Sequence, residues 1–371
     1  MDTVAPGRVT RLWCPYPGGK RHPRWREIGA RSVAWMAPFL ESGSVDRIEL
    51  ASVSVGDLSS RSQPDSREEV VQFVSDTLMW LFALDDLLES DEYAVSSTRI
   101  SPVIYRMQWA LEGLVTGGGP EEPYSRALAE LRRRIGTMAG ALQVDRWVRA
   151  MQDWLSAVIV ETAWRASGTK PGLDEYLLLR QRTGGGETVL TLLDIGSELP
   201  LSAEQWSHPQ VRALTEMTMA VIHWHNDLFS CAKEMLLPYD DGLNLVSAFR
   251  TEYGVSAETA VEAAIRLCDR TIARCRSVSA DVRGWAPPEV QAYLDGLEQN
   301  IAGQLAWAAA SPRYRVTARE AFRPAGRGGV PSDASSRPPG IPAVDHWWQA
   351  PAGTPVSPVI SVAEATGGWT A

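Results

Sequence analysis

The feature that most constrains this chain is a helical spacing of apolar side chains that persists through most of its length. Apolar residues recur at three- and four-residue steps near 68–90, 122–139, 142–166, 203–235, 256–279 and 287–310, while sustained alternation of the β kind is nearly absent. A chain patterned this way hides its apolar stripes by packing helix on helix, so the body is expected to be all-α. The breaks fall on turn chemistry, at Gly117-Gly118-Gly119-Pro120, Ser167-Gly168, Pro171-Gly172 and Pro287-Pro288. No internal repeat of fixed period is visible, which argues for one bundle rather than a solenoid. The 371 residues, 44% of them hydrophobic, suffice for one large helical core.

The two ends differ from this body. Residues 1–24, with Pro6, Pro15, Pro17, Gly18 and Gly19, are expected to form an extended arm, and residues 25–320 the helical domain. From 321 to 371 Pro and Gly dominate, and a disordered tail is expected; Trp347 and Trp348 are its only bulky cluster, and their docking on the body is the alternative.

Charge excludes some partners. The chain carries 36 basic and 45 acidic residues, a formal charge of −9, without a long Lys/Arg stripe, so no nucleic-acid partner is expected. No run of about 18 apolar residues occurs and Met1-Asp2-Thr3-Val4-Ala5-Pro6 leads into no apolar signal core, so a cytoplasmic protein without a membrane partner is expected. Cys14, Cys231, Cys268 and Cys275 show no CxxC spacing and are expected to be reduced.

Two acidic clusters carry the chemical signal. Asp85-Asp86-Leu87-Leu88-Glu89 ends one apolar helical stretch, and Asn226-Asp227-Leu228-Phe229-Ser230-Cys231-Ala232-Lys233-Glu234 ends another. Residues four apart share a helix face, so Asp85 pairs with Glu89, and Asn226, Ser230 and Glu234 form a column about 12 Å long. All are hard oxygen donors of the kind that suits Mg²⁺. Each cluster alone also fits the wet end of a core helix.

Two further constellations stand apart. Gly184-Gly185-Gly186, inside the otherwise helical stretch Tyr176-Leu177-Leu178-Leu179-Arg180-Gln181-Arg182-Thr183, should break the helix and expose backbone carbonyls, although an ordinary inter-helix turn reads the same way. Arg313-Tyr314 follows Trp307 and offers several donors to a phosphate, or is a plain surface pair. His223 and His225 do not make a metal site with Asp227, because helical residues two apart diverge by about 200°. The glycines near Lys20 and Gly184 fit neither a P-loop nor a dinucleotide-binding fingerprint.

Together these pieces resemble the bacterial class I terpene synthases, or terpene cyclases, over roughly residues 10 to 320. The resemblance rests on a DDxxE-type motif at Asp85, Asp86 and Glu89, preceded by Trp80-Leu81-Phe82, on a complete NDxxSxxKE triad, and on the terminal Arg-Tyr pair. It also implies a diphosphate-sensing arginine 46 positions before the triad asparagine, which falls on Arg180, with linker and effector positions at Thr183 and Gly184. The linker is often Asp in relatives, so Thr183 implies a different coupling of sensing to ionisation.

What the resemblance implies is a class I terpenoid synthase-like bundle around a central active-site cavity. In it, three Mg²⁺ ions would be held by Asp85, Glu89, Asn226, Ser230 and Glu234, with Asp86 and Asp227 organising nearby basic groups. Arg180, Lys233, Arg313 and Tyr314 would grip the diphosphate, and Phe82 and Trp307 would line the pocket. The substrate implied is a linear prenyl diphosphate, farnesyl diphosphate first and geranylgeranyl diphosphate second, giving a sesquiterpene or a diterpene. The arm and the loop before Arg313 would close as a lid, and the chain would act alone or as a homodimer. A chain-elongating prenyl diphosphate synthase would need a second DDxxD-like motif in place of the triad, and a non-catalytic helical binding protein would not need these ligands at all.

Overall fold

The computed structural model describes residues 10–40, 45–88, 96–114, 122–234, 242–311, 314, 322–324 and 329–349, without the side chains of 45–53, 86, 122, 232–234 and 323. The helices in order are α1 (Trp25–Met36), α2 (Val45–Ser62), α3 (Glu68–Leu88), α4 (Ser97–Leu111), α5 (Glu122–Met138), α6 (Ala141–Ser167) and α7 (Leu173–Thr183). Then come the short α8 (Glu187–Leu190), α9 (Leu193–Gly196) and α10 (Ala203–Ser207), followed by α11 (Pro209–Glu234), α12 (Leu245–Tyr253), α13 (Ala257–Arg283), α14 (Pro288–Ala310) and the short α15 (Pro342–Asp345).

Local chemistry sets the helix ends. The side chains of Ser202, Asn244 and Ser256 accept from the N–H groups of Gln205, Val246 and Thr259 and so cap α10, α12 and α13. Gly168 and Gly254 close α6 and α12 in the left-handed conformation. The stretch 203–235, one helix by its apolar spacing, is two, because Pro209 has no N–H to give and holds His208 extended.

Neighbouring helices close a ring. α2 packs on α3, α3 on α5, α5 and α4 on α6, α6 on α7, α7 on α11, α11 on α14 and α14 back on α2. α1 lies outside against α2 and α3, and α12 and α13 lie outside against α11. An all-helical bundle around a central cavity is therefore what forms. No described helix is long and apolar enough to cross a membrane. All four cysteines are free and buried.

Both ends depart from expectation. Strand β1 (Thr10–Leu12) pairs in parallel with β2 (Phe322–Pro324), and Leu12, Trp13, Cys14 and Tyr16 are buried in the common core. Arg11, between Thr10 and Leu12 on β1, stays exposed. The expectation of a disordered tail over 321–371 is corrected for 329–349. Ser332 donates to Asp269, Arg270 donates to Asp333 at 2.9 Å, and the Ala343 N–H donates to Asp174 at 2.7 Å. Trp347, 2% exposed, packs with its ring tilted 6.2 Å from Trp224 and donates its indole N–H to Glu216 at 3.0 Å. A segment poor in helical pattern is held because one large indole and a few fixed carboxylates supply what periodicity does not.

Candidate active site

A hydrogen-bonded chain of side chains crosses the mouth of the ring. Arg180, in the last turn of α7, donates to Asn226 Oδ1 at 2.9 Å and pairs with Asp227 at 2.7 Å. Asn226 Nδ2 donates to Tyr314 Oη at 2.6 Å, beyond the end of α14. Asp227, 2% exposed, also accepts from the Tyr176 hydroxyl and from the Leu245 N–H at 3.2 Å. Burial pushes the Asp227 carboxyl up from its ordinary value, while the Arg180 charge, the Tyr176 hydroxyl and the Leu245 N–H draw it back down. Asp227 thus lies against the Arg180 guanidinium. No motif singles out Tyr176, although it lies four residues before Arg180 on the same face of α7.

The glycine break is shaped by His223, whose spacing gave it no part in a metal site. α7 stops at Thr183, Gly185 takes a left-handed φ of 67°, and α8 begins at Glu187. A Cβ on Gly184 would lie 2.2 Å from the ring of His223, and one on Gly186 would lie 2.7 Å from it. His223 Nε2 accepts the Gly186 N–H at 3.2 Å, which places the remaining proton of a neutral ring on Nδ1. Burial, then the Arg180 charge, lowers His223 to about 3, so it stays neutral at any ordinary pH. Trp154 donates its indole N–H to the Thr183 carbonyl at 3.0 Å, fastening the linker position through its backbone. Gly184 lines the cavity, and its carbonyl has no hydrogen-bond partner among the described residues.

Below this mouth lies a cavity of about 730 Å³. Its walls include Leu58, Leu78, Leu81, Phe82, Trp154 and Trp307. Leu78, Leu81, Phe82 and Asp85 share one face of α3, so the apolar wall ends in a carboxylate at the mouth. Asn226 and Ser230, four apart on α11, face the same cavity. Trp307 does two things, since its indole N–H donates to the Ser54 carbonyl at 2.9 Å and its ring meets Tyr314 edge-on at 5.9 Å.

The oxygen set suits a hard divalent cation. The Asn226 amide oxygen has two lone pairs and Arg180 uses one, leaving the other for a metal. Among the described residues no three of His, Cys, Asp and Glu come together. Glu89 and Arg313 lie outside the described residues, as do the side chains of Asp86, Lys233 and Glu234.

Comparison with known proteins decides the family. Residues 76–274 match the model described as Terpene synthase family 2, C-terminal metal binding. The chain belongs to this terpene synthase family. The synthase is 32% identical over 324 residues to 4-epi-cubebol synthase ((2E,6E)-farnesyl diphosphate cyclizing) of Streptosporangium roseum, covering 86% of this chain and 96% of that one. It is 31% identical over 346 residues to (+)-(1(10)E,4E,6S,7R)-germacradien-6-ol synthase of Streptomyces pratensis, covering 92% and 96%. The crystal structure of the SVS_A2 protein from ancestral sequence reconstruction superposes with a TM-score of 0.81 at 29% identity, covering 92% of this chain and 98% of that one. The synthase is accordingly an enzyme, a terpene cyclase of the class I type with the all-α fold of its relatives.

Proposed function

We propose that the synthase ionises farnesyl diphosphate with the help of three Mg²⁺ ions and cyclises the resulting cation, releasing diphosphate. One observation carries this reading: the hydrogen-bonded chain Arg180–Asn226–Tyr314 lines the same cavity as the apolar side chains of Leu58, Leu78, Leu81, Phe82, Trp154 and Trp307. The polar chain suits a diphosphate and the apolar walls a hydrocarbon chain. A relative that acts on farnesyl diphosphate by its printed name supports the choice of substrate. The cavity of about 730 Å³ is wide enough to keep geranylgeranyl diphosphate as a second reading.

Asp85 and Glu89 would hold two of the ions, and Asn226, Ser230 and Glu234 the third. When bound, magnesium supplies Lewis-acid neutralisation of the departing diphosphate. Arg180, Lys233, Arg313 and Tyr314 bind the diphosphate oxygens and stabilise the charge that grows on them as the C–O bond breaks. Asp86 and Asp227 keep neighbouring cations oriented. The Gly184 carbonyl faces the new allylic cation, and Thr183, pinned through its backbone by Trp154, couples Arg180 to that carbonyl. Phe82 and Trp307 present aromatic faces as the charge migrates, each contact contributing about 0.5–2 kcal/mol in a dry pocket. Water is kept out by the packed walls.

Incubation with geranyl, farnesyl and geranylgeranyl diphosphates, with and without Mg²⁺, tests this. Diphosphate release and a cyclic product from the farnesyl substrate, both dependent on metal, are expected. Release from none of the three would overturn the reading, and release only from the geranylgeranyl substrate would replace it with the second.

A further inference from the structure

Asp227 stands between two of the expected magnesium ligands, one residue after Asn226 and three before Ser230. Its carboxylate meets α7 through Arg180 and Tyr176. Its backbone carbonyl is held from a third helix. Asn244, 4% exposed, donates from Nδ2 to that carbonyl at 3.0 Å, and Leu245, next in the chain, gives its N–H to the Asp227 carboxylate at 3.2 Å. The start of α12 is thereby stitched to α11 twice, once at the backbone and once at the side chain, beside the ligands.

The same amide has a second task. Asn244 Oδ1 accepts the Val246 N–H at 2.9 Å and so caps α12. These two contacts fix which way the amide lies, since a flipped amide would set oxygen against a carbonyl and N–H against N–H. The cap by itself does not call for asparagine, because aspartate and serine cap about as well. The bond to Asp227 needs a donor on the capping side chain, and of the usual caps asparagine alone carries an amide N–H. What it holds bears on the ligands directly. The Ser230 hydroxyl gives its proton to the same carbonyl at 3.4 Å, so the atom that Asn244 anchors also sets where the Ser230 lone pairs point. Asn226 and Ser230 line the cavity, and Asn244 lies outside its lining.

We propose that Asn244 is a positioning residue for the magnesium triad: by holding the Asp227 carbonyl it keeps the turn of α11 from Asn226 to Ser230 in register for one cation. Mg²⁺ demands near-octahedral oxygens at about 2.0–2.1 Å, so a small displacement of that turn is felt as lost metal affinity rather than as lost fold. Asn244 touches neither the ion nor the diphosphate. It acts through Asp227, which no spacing along the chain announces.

This role rests on the magnesium reading of the triad, and one set of titrations separates the two. Mg²⁺ is titrated calorimetrically into the unmodified enzyme, Asn244→Asp and Asn244→Ser, each with inorganic diphosphate present, so that no turnover enters the measurement. Both variants keep a cap for α12. The aspartate has no proton to donate, and the uncharged serine is shorter than the amide. Mg²⁺ affinity is expected to fall about tenfold in both, the lower end of the effect of losing a group that orients a metal ligand. The Mg²⁺ concentration for half-maximal diphosphate release from farnesyl diphosphate should rise by the same factor, with the rate at saturating Mg²⁺ within a few-fold of the unmodified enzyme. A smaller folded fraction lowers the number of sites and the maximal rate but moves neither midpoint, so instability does not mimic the effect. Affinity equal to that of the unmodified enzyme in either variant overturns the role of Asn244 and leaves the metal reading intact. No Mg²⁺ binding by the unmodified enzyme in the presence of diphosphate removes both.

Discussion

Arg180 and Asn226, 46 residues apart in the chain, are joined by a 2.9 Å hydrogen bond from the guanidinium to the amide oxygen. The same guanidinium pairs with Asp227, and the same amide continues to Tyr314, so α7, α11 and the chain beyond α14 are fastened at one point. A single ammonium has no planar fork with which to hold Asn226 and Asp227 together. Arg180→Lys is therefore expected to lower the rate of diphosphate release about 100-fold, the usual consequence of losing one well-aimed donor. Steady-state release from farnesyl diphosphate measures it, and a rate within a few-fold of the unmodified enzyme would refute the role given to the fork.

Gly184 and His223 fit each other by exclusion. Gly184→Ala sets a methyl group 2.2 Å from the imidazole, so either the break in the helix or the ring must move. Overpacking of this kind costs about 1–3 kcal/mol. The cost should shrink in a His223→Ala background, where the methyl group has room. Denaturant unfolding of the two single variants and the double variant reads the coupling, and strict additivity would show that the two residues do not constrain each other.

The docked segment 329–349 should contribute to stability through Trp347. Its indole is buried against Trp224, and its N–H meets Glu216. Trp347→Ala is expected to cost about 3–5 kcal/mol, the range for deleting a buried aromatic side chain. Urea midpoints together with trypsin cleavage after Arg337 would record the loss. An unchanged midpoint would mean that the segment rests on the body without stabilising it.

His223 predicts how stability depends on acid. Burial holds it at about 3 in the folded chain against 6.5 when free, so between those values the unfolded chain binds one more proton than the folded one. Stability should then fall as pH is lowered from about 6.5, by about 1.4 kcal/mol per pH unit for this residue, and be independent of its titration above that value. His225, lowered to about 4 by burial, adds a second proton over most of the same window. His223→Gln keeps an acceptor for the Gly186 N–H but has no titration. Unfolding measured at pH 5 to 7 should show a shallower slope in that variant, and an equal slope would rule out the buried neutral imidazole as its source.

Much of the site is legible in the order of residues along the chain. The family resemblance implies that Asp85, Arg180, Asn226 and Ser230 share one chamber, and the fold sets them around the same cavity. Tyr176, His223 and Trp154 carry no such signal, for a common reason. Each acts through a partner far away in the chain, and an isolated Tyr, His or Trp in a helical pattern looks like ordinary core. The glycine triplet is visible as a break, but not as the imprint of an imidazole from α11.

The same division holds for the whole chain. Helical class, the positions of most long helices, though not of α2 and α4, and the choice of hard oxygen ligands are written in periods of three and four residues, because they depend on interactions within one or two turns. The pairing of Thr10–Leu12 with Phe322–Pro324 and the docking of Trp347 on Trp224 have no such local mark. They exist only once distant surfaces meet, since a contact between remote segments depends on how every intervening helix packs.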